Sequence, residues 1–99
     1  MSAFDLTKTA LADLKSIATY TQERWGVRQR NTYLKEIDRV FHSLAKSPVM
    51  GRTCDEVRKG YRKFPHGSHV IYYMRPNTSE VLIIRILHMT MDVDAHLGT

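Results

Sequence analysis

The stretch Glu80-Val81-Leu82-Ile83-Ile84-Arg85-Ile86-Leu87-His88, read together with His69-Val70-Ile71-Tyr72-Tyr73-Met74 before it, decides the fold. Both runs are rich in β-branched and aromatic residues and neither carries a 3.6-residue period, so both predict strands. Arg75-Pro76-Asn77-Thr78-Ser79 between them is turn chemistry, which makes the pair a β-hairpin. Tyr61 to Phe64 predicts one more strand upstream, so 60–88 reads as a three-stranded antiparallel meander. Gly51, Gly60, Pro65, Gly67 and Pro76 keep the pieces of this half short.

Toward the N-terminus the period changes. Leu11, Leu14, Ala18, Thr21 and Trp25 recur at spacings of three or four, with Ala10 and Ile17 widening the stripe. Thr7 or Thr9 is placed to cap this helix, and Gly26 supplies a left-handed residue to end it. Tyr33, Leu34, Ile37, Val40, Phe41, Leu44 and Ala45 form a second apolar stripe, stopped at Ser47-Pro48. So short a break forces the two helices antiparallel, giving a helical hairpin over 7–46. Phe4-Asp5-Leu6-Thr7 alternates and predicts a short strand able to join the sheet as a fourth. The order β-α-α-β-β-β is an α+β fold, with the hairpin and short N-terminal strand set on a small antiparallel β-sheet. At 99 residues it is a single domain, 1–99.

Strand parity separates the faces of the sheet. Leu82, Ile84, Ile86 and His88 fall on one side of the last strand, and Val81, Ile83, Arg85 and Leu87 on the other; Val70, Tyr72 and Met74 oppose Ile71 and Tyr73. Both faces are apolar, yet the helices cover only one. The expectation is an exposed apolar face with arginine at its margins, which marks a partner site; the alternative is that the segments 47–59 and 89–99 fold over it.

Hydrophobic residues make up 42% and charged residues 25%, the balance of a folded globular chain. Fifteen lysines and arginines against ten acids leave a net charge of +5, which suits an anionic partner. The single cysteine, Cys54, excludes an internal disulfide and points to a reducing compartment; beside Asp55 and Glu56 its thiolate is disfavoured. The longest apolar run falls well short of the roughly 18 residues of a membrane span, and the first residues lack the pattern of a secretory signal. The reading is a cytoplasmic protein.

Arg52, Arg58, Lys59, Arg62 and Lys63, with Arg85 and His88, form the one cationic set that a metal-independent ribonuclease would need, with His69, His88 or Glu56 as acid–base groups. Their spacing alone is not diagnostic. Neither a phosphate-binding glycine loop nor a nucleophile elbow is present, and Asp92, Asp94 and His96 do not make a metal site. No cofactor is expected. Trp25, at the turn of the hairpin, is expected to pack against the sheet.

Gly60-Tyr61-Arg62-Lys63-Phe64, His69-Val70-Ile71-Tyr72-Tyr73 and above all Ile84-Arg85-Ile86-Leu87-His88 followed by Met91-Asp92 carry a more specific signal. With Ala12-Asp13-Leu14, Ile17-Ala18, Trp25-Gly26, Tyr33 and Pro48-x-x-Gly51 upstream, the chain resembles the ParE toxins of ParD–ParE type II toxin–antitoxin systems, within the RelE/ParE superfamily, over about residues 4–93. The resemblance implies the fold already read from the periods. It also implies a ParD-like antitoxin whose tail lies along the toxin, DNA gyrase as target, contact with operator DNA only through the antitoxin, and no catalysis. The RelE branch instead cuts mRNA on the ribosome, and is the alternative. Arg62 and Arg85 match arginine positions of that branch, but 89–99 lacks its C-terminal tyrosine, and His88 belongs to the Arg-Ile-Leu-His run typical of ParE.

On this reading Arg62, Arg85, His88, Met91 and Asp92 are the target-binding candidates, the arginines supplying charge complementary to an acidic or DNA-bound target. Ile71, Tyr73, Ile83 and Leu87, placed by parity on the open face, are the antitoxin-binding candidates, with contacts from the exposed side of the hairpin.

Overall fold

A computed structural model describes residues 4–76 and 80–97. Its elements run β1 (Phe4–Leu6), α1 (Lys8–Trp25), α2 (Val27–Lys46), a single 3-10 turn (Pro48–Met50), β2 (Arg52–Thr53), β3 (Arg62–His66), β4 (His69–Met74), β5 (Val81–His88) and α3 (Val93–Leu97). Thr7 caps α1: its hydroxyl accepts the Ala10 N–H at 2.9 Å and donates to the Ile84 carbonyl at 2.8 Å, so one side chain starts the helix and ties it to β5. Gly26, at φ 93, closes α1 through its N–H to the Gln22 carbonyl, and α2 begins at the next residue. Asn77, Thr78 and Ser79 of the anticipated turn lie outside the described residues.

The strand order is β1-β5-β4-β3-β2. The helical hairpin carries the chain from β1 to the far edge, and the meander then returns until β5 lies beside β1. The fold class is the anticipated one: the N-terminal strand joins the sheet as read, and one further strand is new. β1 joins parallel to β5 (Phe4 beside Val81), and a two-residue strand, β2, too short to leave a pattern, pairs with β3.

A bulge sets the faces. Tyr72 pairs with Arg85 but Tyr73 pairs with Ile83, leaving Ile84 as the extra residue on β5. Parity therefore reverses within β5. Val81, Ile83 and Ile86 face the helices with Ile71 and Tyr73, packed on Ala10, Ile17, Ile37, Phe41 and Leu44. Ile84 and Leu87 lie on the other face with Val70 and Tyr72.

That second face is not open. Cys54, Val57 and Tyr61 from the segment between β2 and β3, and Val93 and Leu97 of α3, close over it. This corrects the antitoxin-binding candidates: Ile71, Tyr73 and Ile83 are wholly buried beneath the helices, and Leu87 is buried beneath α3. The alternative considered for the face, coverage by the chain's own segments, is what the structure adopts. Roughly 60–70% of a chain this size leaves water on folding, so two thin cores, one on each side of the sheet, are a natural way to reach that share.

α1 turns inward one edge of the stripe read from its sequence. Ala10, Ile17 and Thr21 are buried, whereas Leu11 is exposed and Trp25 is 66% exposed. Trp25 sits at the hairpin turn rather than on the sheet, and the Arg24 guanidinium lies over its ring and that of Tyr20 at 5.9 and 5.6 Å.

Candidate partner-binding surface

Arg85 follows the bulge, and its guanidinium reaches Asp13 on α1. Nε donates to Asp13 Oδ2 at 2.8 Å and Nη2 to Oδ1 at 3.0 Å, a bidentate pair, while Nη1 donates to the His96 carbonyl at 3.2 Å. Asp13 Oδ2 also accepts the Ile86 N–H at 2.9 Å. Thr7 and Asp13 thus satisfy the edge of β5 beyond the end of three-residue β1, which blunts a sheet edge that would otherwise be open. The hydrogen bonds to Asp13 raise the Arg85 pKa above its ordinary value. Arg85 is a clamp between α1, β5 and α3, its guanidinium engaged within the chain rather than free.

Arg62 is held in the same way. It pairs with Tyr73 across β3 and β4, and its Nη1 donates to the Gly51 carbonyl at 2.7 Å. The Gly51 N–H donates to the Tyr73 hydroxyl at 2.8 Å, which donates to the Pro48 carbonyl at 2.7 Å. This knot fixes the turn after α2 to the sheet. Burial holds the Tyr73 phenol pKa above its ordinary value, so the phenol stays a donor.

The register separates the cationic set. Arg52, Lys63, Tyr72 and Arg85 form one cross-strand row on the face covered by α3, while Arg62 lies with Tyr73 on the helix face. His88 pairs with His69, and His69 with His66, a histidine row also on the helix face at the far end of the sheet. Arg85 and His88 therefore project from opposite faces of the same strand, and the anticipated groove uniting them does not form.

In the histidine row, α2 contributes Tyr33, whose ring stacks on His66 at 5.7 Å and whose hydroxyl donates to the His66 carbonyl at 3.2 Å and contacts His69 Nδ1 at 2.7 Å. His66 Nε2 lies 3.3 Å from Glu36. The His69 and His88 rings meet edge to face at 5.5 Å. The Thr90 N–H donates to His88 Nδ1 at 3.2 Å, so the neutral ring of His88 carries its proton on Nε2. Burial, then the neighbouring His88 and His66, hold the His69 pKa below 6.5, with Asp13 opposing.

The folded state accordingly takes up its proton on His69 later than the unfolded chain as pH falls. Stability is expected to be level above about pH 7, to start falling as pH drops through 6.5, and to stop falling below the folded value. Urea midpoints measured at steps from about pH 7.5 to 5 should show a shallower fall for His69→Gln than for the natural chain. Equal slopes would mean that His69 does not titrate differently on folding.

Met91 is 44% exposed just beyond β5. Asp92 Oδ1 accepts the Asp94 N–H at 3.0 Å and the Asp92 carbonyl contacts His96 Nδ1 at 2.8 Å, so Asp92 starts α3. Among the described residues no group of three histidine, cysteine or acidic side chains is placed to hold a metal ion. Cys54 is fully buried, and burial followed by Glu56 raises its thiol pKa. Among the described residues no helix is long and apolar enough to cross a membrane.

Two features escaped the sequence reading. Asp13 entered it only as part of the run Ala12-Asp13-Leu14, and the residues around it gave no sign that β5 needed an acceptor. Tyr20 and Ser16 sit on the flank of α1 beside His69, His88 and Met91, around a cleft of 290 Å³. Tyr20 stood off the stripe as read, and an exposed tyrosine four residues after an exposed serine was the available signal.

The profile of the ParE toxin of type II toxin–antitoxin systems, parDE, matches residues 4–93. The chain is 41% identical to Toxin ParE1 of Mycobacterium tuberculosis (strain ATCC 25618 / H37Rv) over 96 residues, 97% of this chain and 98% of that one. It is also 41% identical to Toxin ParE1 of Caulobacter vibrioides over 98 residues, 99% and 100% of the two chains. A solved structure described as the chromosomal ParDE TA system from P. aeruginosa superposes with a TM-score of 0.73 over 89% of this chain and 96% of that chain, at 20% identity, which supports the fold. With the fold and nearly the full length in agreement, the chain belongs to the ParE toxin family of type II toxin–antitoxin systems.

Proposed function

We propose that this toxin acts in the cytoplasm by binding DNA gyrase and stalling it on cleaved DNA, without chemistry of its own, and that a ParD-like antitoxin neutralises it by direct binding. Operator DNA is then reached only through the antitoxin. Beyond the family match, the observation that carries the non-catalytic reading is the division of the cationic set. Arg85 is clamped to Asp13 on one face and His88 stands with His69 on the other, so neither of these two acid–base candidates shares a groove with Arg85. The target surface on this reading is the end of β5, His88 and Met91, with Asp92 shaping the turn that presents them.

The test is a supercoiling and cleavage assay of gyrase with purified toxin, run beside translating ribosomes monitored for mRNA cuts. Trapped cleaved DNA with intact mRNA is the expected result. Cut mRNA with normal gyrase would move the chain to ribosome-dependent mRNA cleavage, the RelE-type activity.

A further inference from the structure

α3 does not cover the whole of the second sheet face. Beside Val93 a cleft of 360 Å³ stays open, within the size range of ligand pockets. It is lined by the cross-strand row Arg52, Lys63 and Tyr72 and by the apolar side chains of Val70, Met89 and Val93. The Met89 N–H donates to the Ser68 carbonyl at 2.8 Å, which fixes the start of the segment that borders the cleft.

Arg52 and Lys63 are direct cross-strand neighbours on one face, an arrangement that sets Cβ atoms about 5 Å apart and is destabilising for like charges. Neither makes an ion pair among the described residues. Arg85, at the other end of the row, is answered by Asp13, so the uncompensated charge is gathered at the Arg52–Lys63 end. The acids of this face are placed elsewhere. Asp92 starts α3 by accepting the Asp94 N–H, and Glu56 stands in the segment that closes over Cys54.

Tyr72 supplies a third donor. It is only 4% exposed, and its hydroxyl has no hydrogen-bond partner among the described residues. No side-chain polar atom among them is both buried and unpartnered, so that hydroxyl reaches the surface. Burial, then Cys54 and Glu56, raise the Tyr72 pKa above its ordinary value, and the phenol stays protonated.

We infer that this cleft binds a nucleotide unit, its phosphate bridging Arg52 and Lys63 and its base lying against Val70, Met89 and Val93. A bridging anion offsets the repulsion between the two cations, which nothing else on the face does. A phosphate has oxygens enough to meet a guanidinium, an ammonium and a phenol together. The apolar side chains beside them fit a ligand that is charged at one end and flat at the other, which is the build of a nucleotide. A free nucleotide and one within a single strand share this chemistry, and the net charge of +5 attracts both. The cleft lies on the opposite face of the sheet from His88, apart from the surface proposed to meet gyrase, and does not depend on that reading.

The experiment titrates deoxyadenosine monophosphate, a short oligodeoxyadenylate and inorganic phosphate calorimetrically into the full-length toxin. The mononucleotide is expected to bind at least tenfold more tightly than inorganic phosphate. Arg52→Gln and Lys63→Gln should each raise its Kd at least tenfold, with thermal melts verifying that they are folded. Lys35→Gln, which removes the same charge from an exposed position on α2, should change it less than twofold. An oligonucleotide at least tenfold tighter than the mononucleotide assigns the site to a strand, and a smaller gain assigns it to the free nucleotide. A mononucleotide no tighter than inorganic phosphate leaves an anion site only and overturns the proposal. Equal weakening in all three variants marks unspecific attraction and also overturns it, as does the absence of binding by any probe. Without ligand and at low salt, Arg52→Gln should melt no lower than the natural chain. A lower melt would mean that Arg52 is already compensated within the fold, and overturns the site.

Discussion

Asp13→Ala is expected to lower the unfolding free energy of the free toxin by about 3–5 kcal/mol, the cost of stranding one member of a desolvated ion pair. Both side chains are largely buried, at 17% exposure for Arg85 and 14% for Asp13, so solvent does not screen the pair as it does at a surface. The carboxylate also serves the Ile86 N–H, and its loss leaves a strand donor beyond the reach of β1 without its acceptor. A domain of this size has about 5–15 kcal/mol in total, so the variant should lose a large share of its stability. Urea unfolding followed by circular dichroism measures it. Asp13→Ala combined with Arg85→Ala should cost less than the sum of the two single changes, because the second removes the stranded charge. A loss under about 1 kcal/mol for Asp13→Ala would mark the pair as a surface contact and return Arg85 to the list of residues free to meet a target.

Gly51→Ala is expected to cost about 3 kcal/mol, at the upper end of overpacking. The added methyl would run into the Tyr73 hydroxyl, would stand 2.7 Å from that ring's Cε1, and would lie 2.8 Å from the Lys63 carbonyl. Neither side can yield easily: Tyr73 is wholly buried and hydrogen-bonded to Pro48 and Gly51, and the Lys63 carbonyl belongs to β3. Tyr73→Phe removes one of the colliding atoms, so the methyl should cost less in that background than in the natural chain, although the phenol's own loss leaves the Gly51 N–H without its partner. Thermal melts of the two single variants and the double variant give the comparison. Additive costs would mean that the ring's Cε1 and the Lys63 carbonyl, both kept in the Tyr73→Phe background, set the penalty.

Much of the architecture was written locally. The spacing of Ile37, Phe41 and Leu44 placed α2, Thr7 and Gly26 bounded α1, and the runs His69–Met74 and Val81–His88 made strands because β-branched and aromatic side chains suit a pleated, half-buried surface. Each of these signals depends on residues near one another in the chain. The site was less legible. Arg62, Arg85 and His88 were singled out by type and position, but whether a guanidinium is free or clamped depends on residues 11 and 72 positions away, Gly51 and Asp13.

The face of the sheet shows the same division most sharply. Strand parity is a local rule, and one extra residue at Ile84 reverses it for everything that follows. A bulge forms from the pairing of two strands and leaves no mark in either sequence alone. By itself the sequence determined the order of the longer elements, the helical hairpin, the strand-rich second half and the family. Only the tertiary structure decided that Ile71, Tyr73 and Ile83 lie under the helices, that α3 closes over the other face, and that a cleft stays open there beside Arg52 and Lys63. Those outcomes depend on register and on which distant segments compete for apolar surface, and local periodicity contains neither.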